Sequence, residues 1–245
     1  MQKYHIIYGK HACLATLKGE KRKINQIYLL HEKYDYYITE IDKQYHKLVL
    51  KVTKSQLDKL TKEESKHQGI AIKASEYNFS YYLQNLIIDT ESKKSNVIIL
   101  DEVQDPHNLG AILRIAFCFK IDAVIMQTKN APDITSAVVR ASAGCSEFVN
   151  IISVTNISQT ISELKKNDFW IIGLDSHAEE FSIRRVIKMY EKRVFVFGSE
   201  GFGMRDLTKK SCDLFIKIPI NADADSLNVS SSVSIVAYET SLKSD

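Results

Sequence analysis

Three clusters in the 245-residue chain combine residue types and spacings that could do chemistry. The first is Asn108-x-Gly110-x-x-x-Arg114. Asn108 can cap a helix with its side-chain oxygen, and Gly110 lets a ligand approach the backbone closely. Arg114 follows Asn108 by six residues, nearly two helical turns, so the two are expected to share a face. An arginine near a helix N-terminus suits a phosphate. The second cluster is Gly198-Ser199-Glu200-Gly201-Phe202-Gly203, a tight loop with bare N–H groups. It lacks the lysine and spacing of a P-loop, and its glycine order is not the dinucleotide-binding one. A carboxylate at Glu200 repels phosphate, so the loop is read as serving a cationic or hydroxyl-bearing ligand. The third cluster runs from Ile218-Pro219-Ile220 to Ser226-Leu227-Asn228-Val229-Ser230, where Ser226 or Asn228 can cap the last helix. Taken singly, each pattern also fits a capped helix or a plain strand–turn–helix connection.

The elements around these clusters give them a common setting. Apolar runs at Val97–Leu100 and Val194–Phe197 lead directly into the first two clusters, and a run at Leu214–Ile218 leads into Pro219. Further strands are predicted at Ala123–Met126, Val149–Val154 and Trp170–Leu174. Helices are predicted from about Asn108 to Lys120, at Ser136–Ala143 and at Ile157–Lys166. This alternation predicts an α/β fold with a mostly parallel sheet covered on both faces. Ligands of such sheets sit beyond the strand ends. Before Val97 the segments are shorter. Ile24–Leu30, Leu48–Val52 and Gln68–Ile72 read as strands, and a capped short helix is expected at Ser55–Leu60, so residues 1–74 predict a small α/β domain. Residues 75–96, ending in the polar run Asp89–Asn96, read as a linker, which leaves 97–245 as the domain holding all three clusters.

Charge divides along the same line. Residues 1–74 carry 15 Lys and Arg against 8 Asp and Glu, a net +7, while the rest of the chain nets −4. A basic first third is the footprint of a polyanion partner. Apolar residues make up 44% and charged residues 26%, ordinary for a soluble globular protein. No apolar run is long enough to span a membrane, and no signal or transit segment is expected. Cys13, Cys118, Cys145 and Cys212 are scattered, as expected of reduced thiols in a cytoplasm. His11, His67, His107 and His177 have no metal spacing, there is no G-x-S-x-G, and Cys145 has no identifiable base, so no metal site or hydrolase is predicted.

Together and in this order, Asn108-Leu109-Gly110-Ala111-Ile112-Leu113-Arg114, Gly198-Ser199-Glu200-Gly201-x-Gly203 and Ile218-Pro219-Ile220 with Ser226-Leu227-Asn228-Val229-Ser230 resemble the three motifs of the SpoU/TrmH branch of the SPOUT methyltransferases. Tyr8-Gly9-Lys10-His11-Ala12 and His67-Gln68-Gly69 resemble the start and end of that family's ribosomal-protein-like RNA-binding domain. Ala141-Ser142-Ala143-Gly144 matches its middle region. The strongest likeness is to the 23S rRNA guanosine 2′-O-methyltransferases. The resemblance implies a C-terminal deep trefoil knot, S-adenosylmethionine as cofactor, a homodimer whose active site draws on both subunits, and methylation of a ribose 2′-hydroxyl in RNA.

Carried over by position, it implies cofactor contacts at Gly198, Gly201, Ile218, Ile220 and Leu227, and catalytic-site roles for Asn108, Arg114, Glu200, Ser226 and Asn228, with Arg114 beside the target ribose. Ala222 stands where the family usually has glycine, Phe119-Lys120-Ile121 replaces a common glycine, and Ser232-Val233 replaces alanine-rich positions. A tRNA substrate, a resistance methylase and a catalytically silent RNA-binding scaffold are the competing expectations.

Overall fold

The structure, a computed structural model, describes residues 4–62, 66–91, 93–129, 131–176, 178, 182–221 and 223–242. The chain divides into two compact units, Met1–Asn78 with Asp133–Phe148, and Phe79–Pro132 with Val149–Asp245.

The first unit contains β1 (Tyr4–Tyr8), α1 (Lys10–Gly19), β2 (Ile24–Leu30), α2 (Tyr34–Glu40), β3 (Val49–Val52), α3 (Lys54–Thr61) and β4 (Ile70–Ser75). Its four-stranded sheet has the order β1-β4-β2-β3, antiparallel except for β2 beside β3. The cap of α3 is Thr53. The Gln56 N–H donates to Thr53 Oγ1 at 3.4 Å, while Gln56 Oε1 accepts from the Thr53 N–H at 2.9 Å, a reciprocal box that starts the helix one residue early. Leu57 on α3 is fully buried against Tyr8, Leu30 and Ala71. The motif ends Gly9-Lys10 and Gln68-Gly69 meet: the Lys10 N–H donates to Gln68 Oε1 at 2.8 Å, and Gly9 and Gly69 hold φ of 91° and 92°, a region that favours glycine.

The second unit contains α4 (Leu83–Asp89), β5 (Ser95–Leu100), α5 (Pro106–Cys118) and β6 (Ala123–Gln127). The chain then enters the first unit through α6 (Ser136–Ala141) and returns for β7 (Ile151–Val154), α7 (Ile157–Lys165), β8 (Trp170–Leu174), α8 (Ile183–Met189), β9 (Lys192–Phe197), α9 (Asp206–Lys210), β10 (Leu214–Ile216) and α10 (Val229–Ser241). Its six strands are all parallel, in the order β10-β8-β9-β5-β6-β7. Val97, Ile99, Ala123, Ile125, Ile171, Val194 and Val196 are fully buried in one core with Leu86, Ile161 and Leu164. Continuous rather than alternating apolar strands follow from a sheet covered on both faces. Ser95 and Asn96 extend β5 beyond the apolar run because Asp122 accepts from Ser95 Oγ at 3.0 Å and from the Asn96 N–H at 2.9 Å.

Within the first unit, α6 and the turn Cys145–Glu147 pack on β1 and α1. Gly144, with φ 86°, sits so close to α1 that a Cβ there would lie 2.3 Å from Ala15 Cβ, and a Cβ on Gly19 would lie 2.6 Å from Glu147 Cβ. Between them Arg22 and Glu147 form an ion pair of 3.1 Å with both side chains out of solvent. Arg22 also donates to the carbonyls of Ser75 and Ile134. Burial pushes the Glu147 carboxyl up from its ordinary value, and Arg22 offsets this only in part.

Candidate active site

The helix α5 begins three residues earlier than its cap motif suggests. Asp105 is the cap, accepting from the His107 N–H at 3.0 Å, and Pro106 takes the first helical position, where its missing N–H costs nothing. Asn108 is thereby freed from capping and lies inside the first turn, 8% exposed. Its side-chain amide donates to Glu200 Oε1 at 2.9 Å. Asn228 donates to Asn108 Oδ1 at 3.0 Å and to the same Glu200 oxygen. Residues from three separated clusters thus close a triangle of side-chain hydrogen bonds.

Asn228 has a second task. Its Oδ1 accepts from the Ser230 N–H at 2.9 Å, the Ser231 N–H at 3.4 Å and Ser230 Oγ at 2.6 Å, capping α10. The cap fixes which end of the amide is the oxygen, so the NH₂ end must face Glu200 and Asn108. Both amides thus donate to one oxygen of Glu200. The orientation of α10 is thereby tied to the glycine loop and to α5, on which α10 packs.

Arg114 lies elsewhere. Six residues advance a helix by about 240°, so Arg114 does not share a face with Asn108. It is exposed, whereas Asn108 is buried. The expected common face is therefore corrected: Arg114 shares its flank of α5 with Phe117 and Cys118, three and four residues on, and both are exposed.

Beside the triangle lies a pocket of about 380 Å³, within the range of small-molecule sites of about 300–1,000 Å³. Its walls are the loops after β8, β9 and β10 and the start of α10, so it opens at the carboxyl ends of parallel strands. Gly198, Gly201, Ile218, Ile220 and Leu227 all line it, as do Glu200 and Ser226, so every position expected to touch a cofactor faces one cavity. Asp175, Ser176 and Lys209 also line it and were not read from the sequence. Asp175 and Lys209 pair at 3.1 Å. Asp175 directly follows strand β8, and that position was the available signal. Ala222 lies outside the described residues, as does His177.

The three glycines of the loop do different work. A Cβ on Gly198 would fall 2.1 Å from the Gly203 carbonyl carbon and 2.2 Å from the Met204 nitrogen. Gly203 has φ 68° and exchanges backbone hydrogen bonds with Ser199 at 3.0 and 3.1 Å. Gly201 has open space around its Cα, and Phe202 beside it is 94% exposed. Gly198 and Gly203 thus form the loop, while Gly201 is sterically replaceable. Burial raises the Cys212 thiol to about 12, well away from a reactive thiolate.

Comparison with known proteins finds relatives along nearly the whole chain. Residues 95–238 match the SpoU rRNA methylase family, and residues 6–80 match the RNA 2′-O ribose methyltransferase substrate-binding family. A Staphylococcus epidermidis protein assigned to the TrmH family of tRNA/rRNA methyltransferases is 39% identical over 241 residues, 96% of this chain and 94% of that protein. A 23S rRNA (guanosine-2′-O-)-methyltransferase of Coxiella burnetii is 35% identical over 243 residues, 98% of this chain and 96% of the other. The solved structure of an S-adenosylmethionine-bound rRNA methyltransferase of Sinorhizobium meliloti shares the fold, with TM-score 0.79 at 19% identity over 97% of this chain and 86% of that one.

Proposed function

The chain belongs to the SpoU rRNA methylase family and is an S-adenosylmethionine-dependent RNA 2′-O-ribose methyltransferase; we propose that its substrate is a guanosine of 23S rRNA. The observation that carries the site reading is the Asn108–Glu200–Asn228 triangle closing against a pocket lined by all five expected cofactor positions. The 23S choice is supported by the +7 charge of residues 1–74 and by the guanosine specificity in the name of the Coxiella relative. The functional division we propose is RNA binding by the unit that holds 1–74 and methyl transfer by the unit that holds most of 97–245; 133–148 joins the first unit, and the stretch 75–96 expected as a linker instead supplies α4, whose Leu86 is buried in the core of the second.

The pocket fits S-adenosylmethionine chemically. Leu174, Phe197, Ile218 and Leu227 offer apolar surface for an adenine, and the bare backbone around Gly198 offers close approach. Carboxylates at Glu200, Asp175 and Asp225 suit a ligand carrying positive charge. When bound, the cofactor supplies an electrophilic sulfonium methyl. The chain's task is then to hold a ribose 2′-oxygen in line with it, and alignment of this kind contributes up to about 7–11 kcal/mol in ideal cases. In our reading Asn108, Glu200, Asn228 and Ser226 order that edge of the pocket. Arg114 is assigned the grip on a phosphate beside the target and the stabilisation of the developing alkoxide; its guanidinium only donates, so the hydroxyl proton leaves to solvent.

Two further parts belong to the proposal. The first is a homodimer. Phe117 on α5, Ile235 and Tyr238 on α10 and Leu242 just past its end leave exposed apolar surface on two helices that pack together. Arg114 shares the Phe117 flank, so a second copy covering that surface would bring Arg114 to a site built from both chains. The second is the trefoil knot. It is supported by the return of the chain from edge strand β10 to pack α10 on α5. No helix of the described residues is long and apolar enough to cross a membrane, and an rRNA substrate with free cysteines fits action in the cytoplasm.

The glycine loop gives a direct test of the cofactor site. Gly198→Ala is expected to weaken S-adenosylmethionine binding about tenfold or more, because overpacking against backbone cannot be relieved by a rotamer change. Gly201→Ala should stay within about twofold. Titration calorimetry of both variants checks this. Equal affinities would remove the loop from the binding site. The substrate reading is tested by offering labelled S-adenosylmethionine with 23S rRNA and bulk tRNA side by side. Label entering 23S rRNA alone is the expected result, and label entering tRNA alone would overturn it.

A further inference from the structure

Two neighbouring strands deliver the halves of this site. The last residues of β5 and β9, Leu100 and Phe197, are register partners, and just beyond them the chain parts in two directions. One branch runs through Asp101–Asp105 to Asn108. The other runs through Gly198–Gly203 and carries Glu200. Asn108 and Glu200 must still meet at 2.9 Å, so something must set the spacing of the two branches.

Asp101 is fully buried at this fork. Its N–H donates to the Phe197 carbonyl at 2.8 Å, extending the ladder by one step. Among the described residues, both of its carboxylate oxygens are held by one residue of the other branch. Arg205 donates from Nε to Oδ1 at 2.8 Å and from its backbone N–H to Oδ2 at 3.0 Å, and Nη2 lies 2.6 Å from Oδ1. Arg205 stands two residues past Gly203, where the glycine loop ends. Glu102 next to Asp101 holds φ 62°, rare for a glutamate, and its carboxylate lies 3.7 Å from Arg205 Nη1. Backbone strain of this kind persists where surrounding contacts over-determine it. One arginine therefore binds both residues that follow β5 and closes the loop that follows β9.

We propose that Asp101 and Arg205 are positioning residues for methyl transfer: their ion pair sets the distance between the loop leading to Asn108 and the loop carrying Glu200. Neither lines the pocket. They act through the Asn108–Glu200–Asn228 triangle, and the proposal rests on the reading that this triangle orders the methyl-transfer site. The guanidinium fork matters as well as the charge, since Nε and Nη2 both reach one carboxylate oxygen while the backbone N–H holds the other.

The test is steady-state methyl transfer with Arg205→Lys, alone and combined with Glu200→Gln, at saturating cofactor. Arg205→Lys keeps the charge and loses the fork. It should fold, keep its KM for RNA within about twofold and lose about 10- to 100-fold in kcat, the scale expected of a small displacement at a reacting centre. In the Glu200→Gln background the same substitution should add little, because the route through Glu200 is already broken. A kcat for Arg205→Lys within about twofold of wild type would overturn the proposal, as would an equal loss in both backgrounds. If Arg205→Lys does not fold, Asp101→Asn with Arg205→Gln, a neutral hydrogen-bonding pair, is compared with Asp101→Asn alone. Higher kcat in the double variant supports positioning, and equal or lower kcat overturns it. A wild-type protein that moves no label to RNA would overturn the functional reading instead.

Discussion

Asn228→Asp should abolish most methyl transfer, by about 100-fold, while leaving the fold as stable as before. Aspartate caps a helix about as well as asparagine, so α10 keeps acceptors for the Ser230 and Ser231 N–H groups. The other end of the side chain changes completely. Where an NH₂ donated to Glu200 Oε1 and Asn108 Oδ1, a carboxylate oxygen now faces one carboxylate and one carbonyl oxygen. The two like charges push Glu200 off the triangle. Asn228→Ser gives the contrast: it keeps a good cap and removes the donor without adding charge, so its loss should be smaller. Single-turnover transfer rates and thermal melts of the three proteins check the ordering. A Ser variant slower than the Asp variant would count against the charge argument.

The second large effect is on stability. Arg22→Met should destabilise the first unit by about 3–5 kcal/mol, the usual result of stripping one partner from a buried pair. Glu147 would keep a carboxylate out of water with no cation, and the carbonyls of Ser75 and Ile134 would lose a donor. The loss should depend on pH, with a definite sign. Burial already raises the folded-state Glu147 value above its unfolded value, and removing Arg22 raises it further. Folding then takes up a proton, so the variant is least compromised below the ordinary glutamate range and loses stability as pH rises through the raised value. Adding Glu147→Leu should recover more than half of the loss, because an apolar pair of similar volume is tolerated where half a salt bridge is not. Hydrogen exchange of β1, β4 and α1 amides reads this unit directly. A single variant as stable as wild type would show that the pair carries no such load.

How much of this could be read from the residues differs between the two units. The sheet of the second unit was legible because parallel strands covered on both faces are continuous apolar runs, and each run ends in a recognisable loop. The glycine loop and the Ile218–Asn228 stretch were legible for the same reason. Helices α8 and α9 were not read: Val186 and Thr208 are their only buried residues, so their faces leave almost no periodic mark. The role of Asn108 was obscured by its own chemistry. Asparagine is a good cap, and only the structure shows that Asp105-Pro106 takes that task and leaves Asn108 for Glu200. The membership of 133–148 in the first unit could not be foreseen either. It depends on Arg22 meeting a glutamate 125 residues away and on two glycines allowing helix and turn to touch. Such contacts leave no periodic pattern in sequence.

The central claim is that the pocket beside the Asn108–Glu200–Asn228 triangle serves transfer of a methyl group to a ribose oxygen of 23S rRNA. Its most direct test is to incubate the protein with unmodified 23S rRNA and labelled S-adenosylmethionine, digest the product to nucleosides, and map the site by primer extension at low dNTP. The account predicts label in 2′-O-methylguanosine alone, with one new stop, and about 100-fold less label with Asn228→Asp. Label on a base, or equal labelling by wild type and Asn228→Asp, would contradict it.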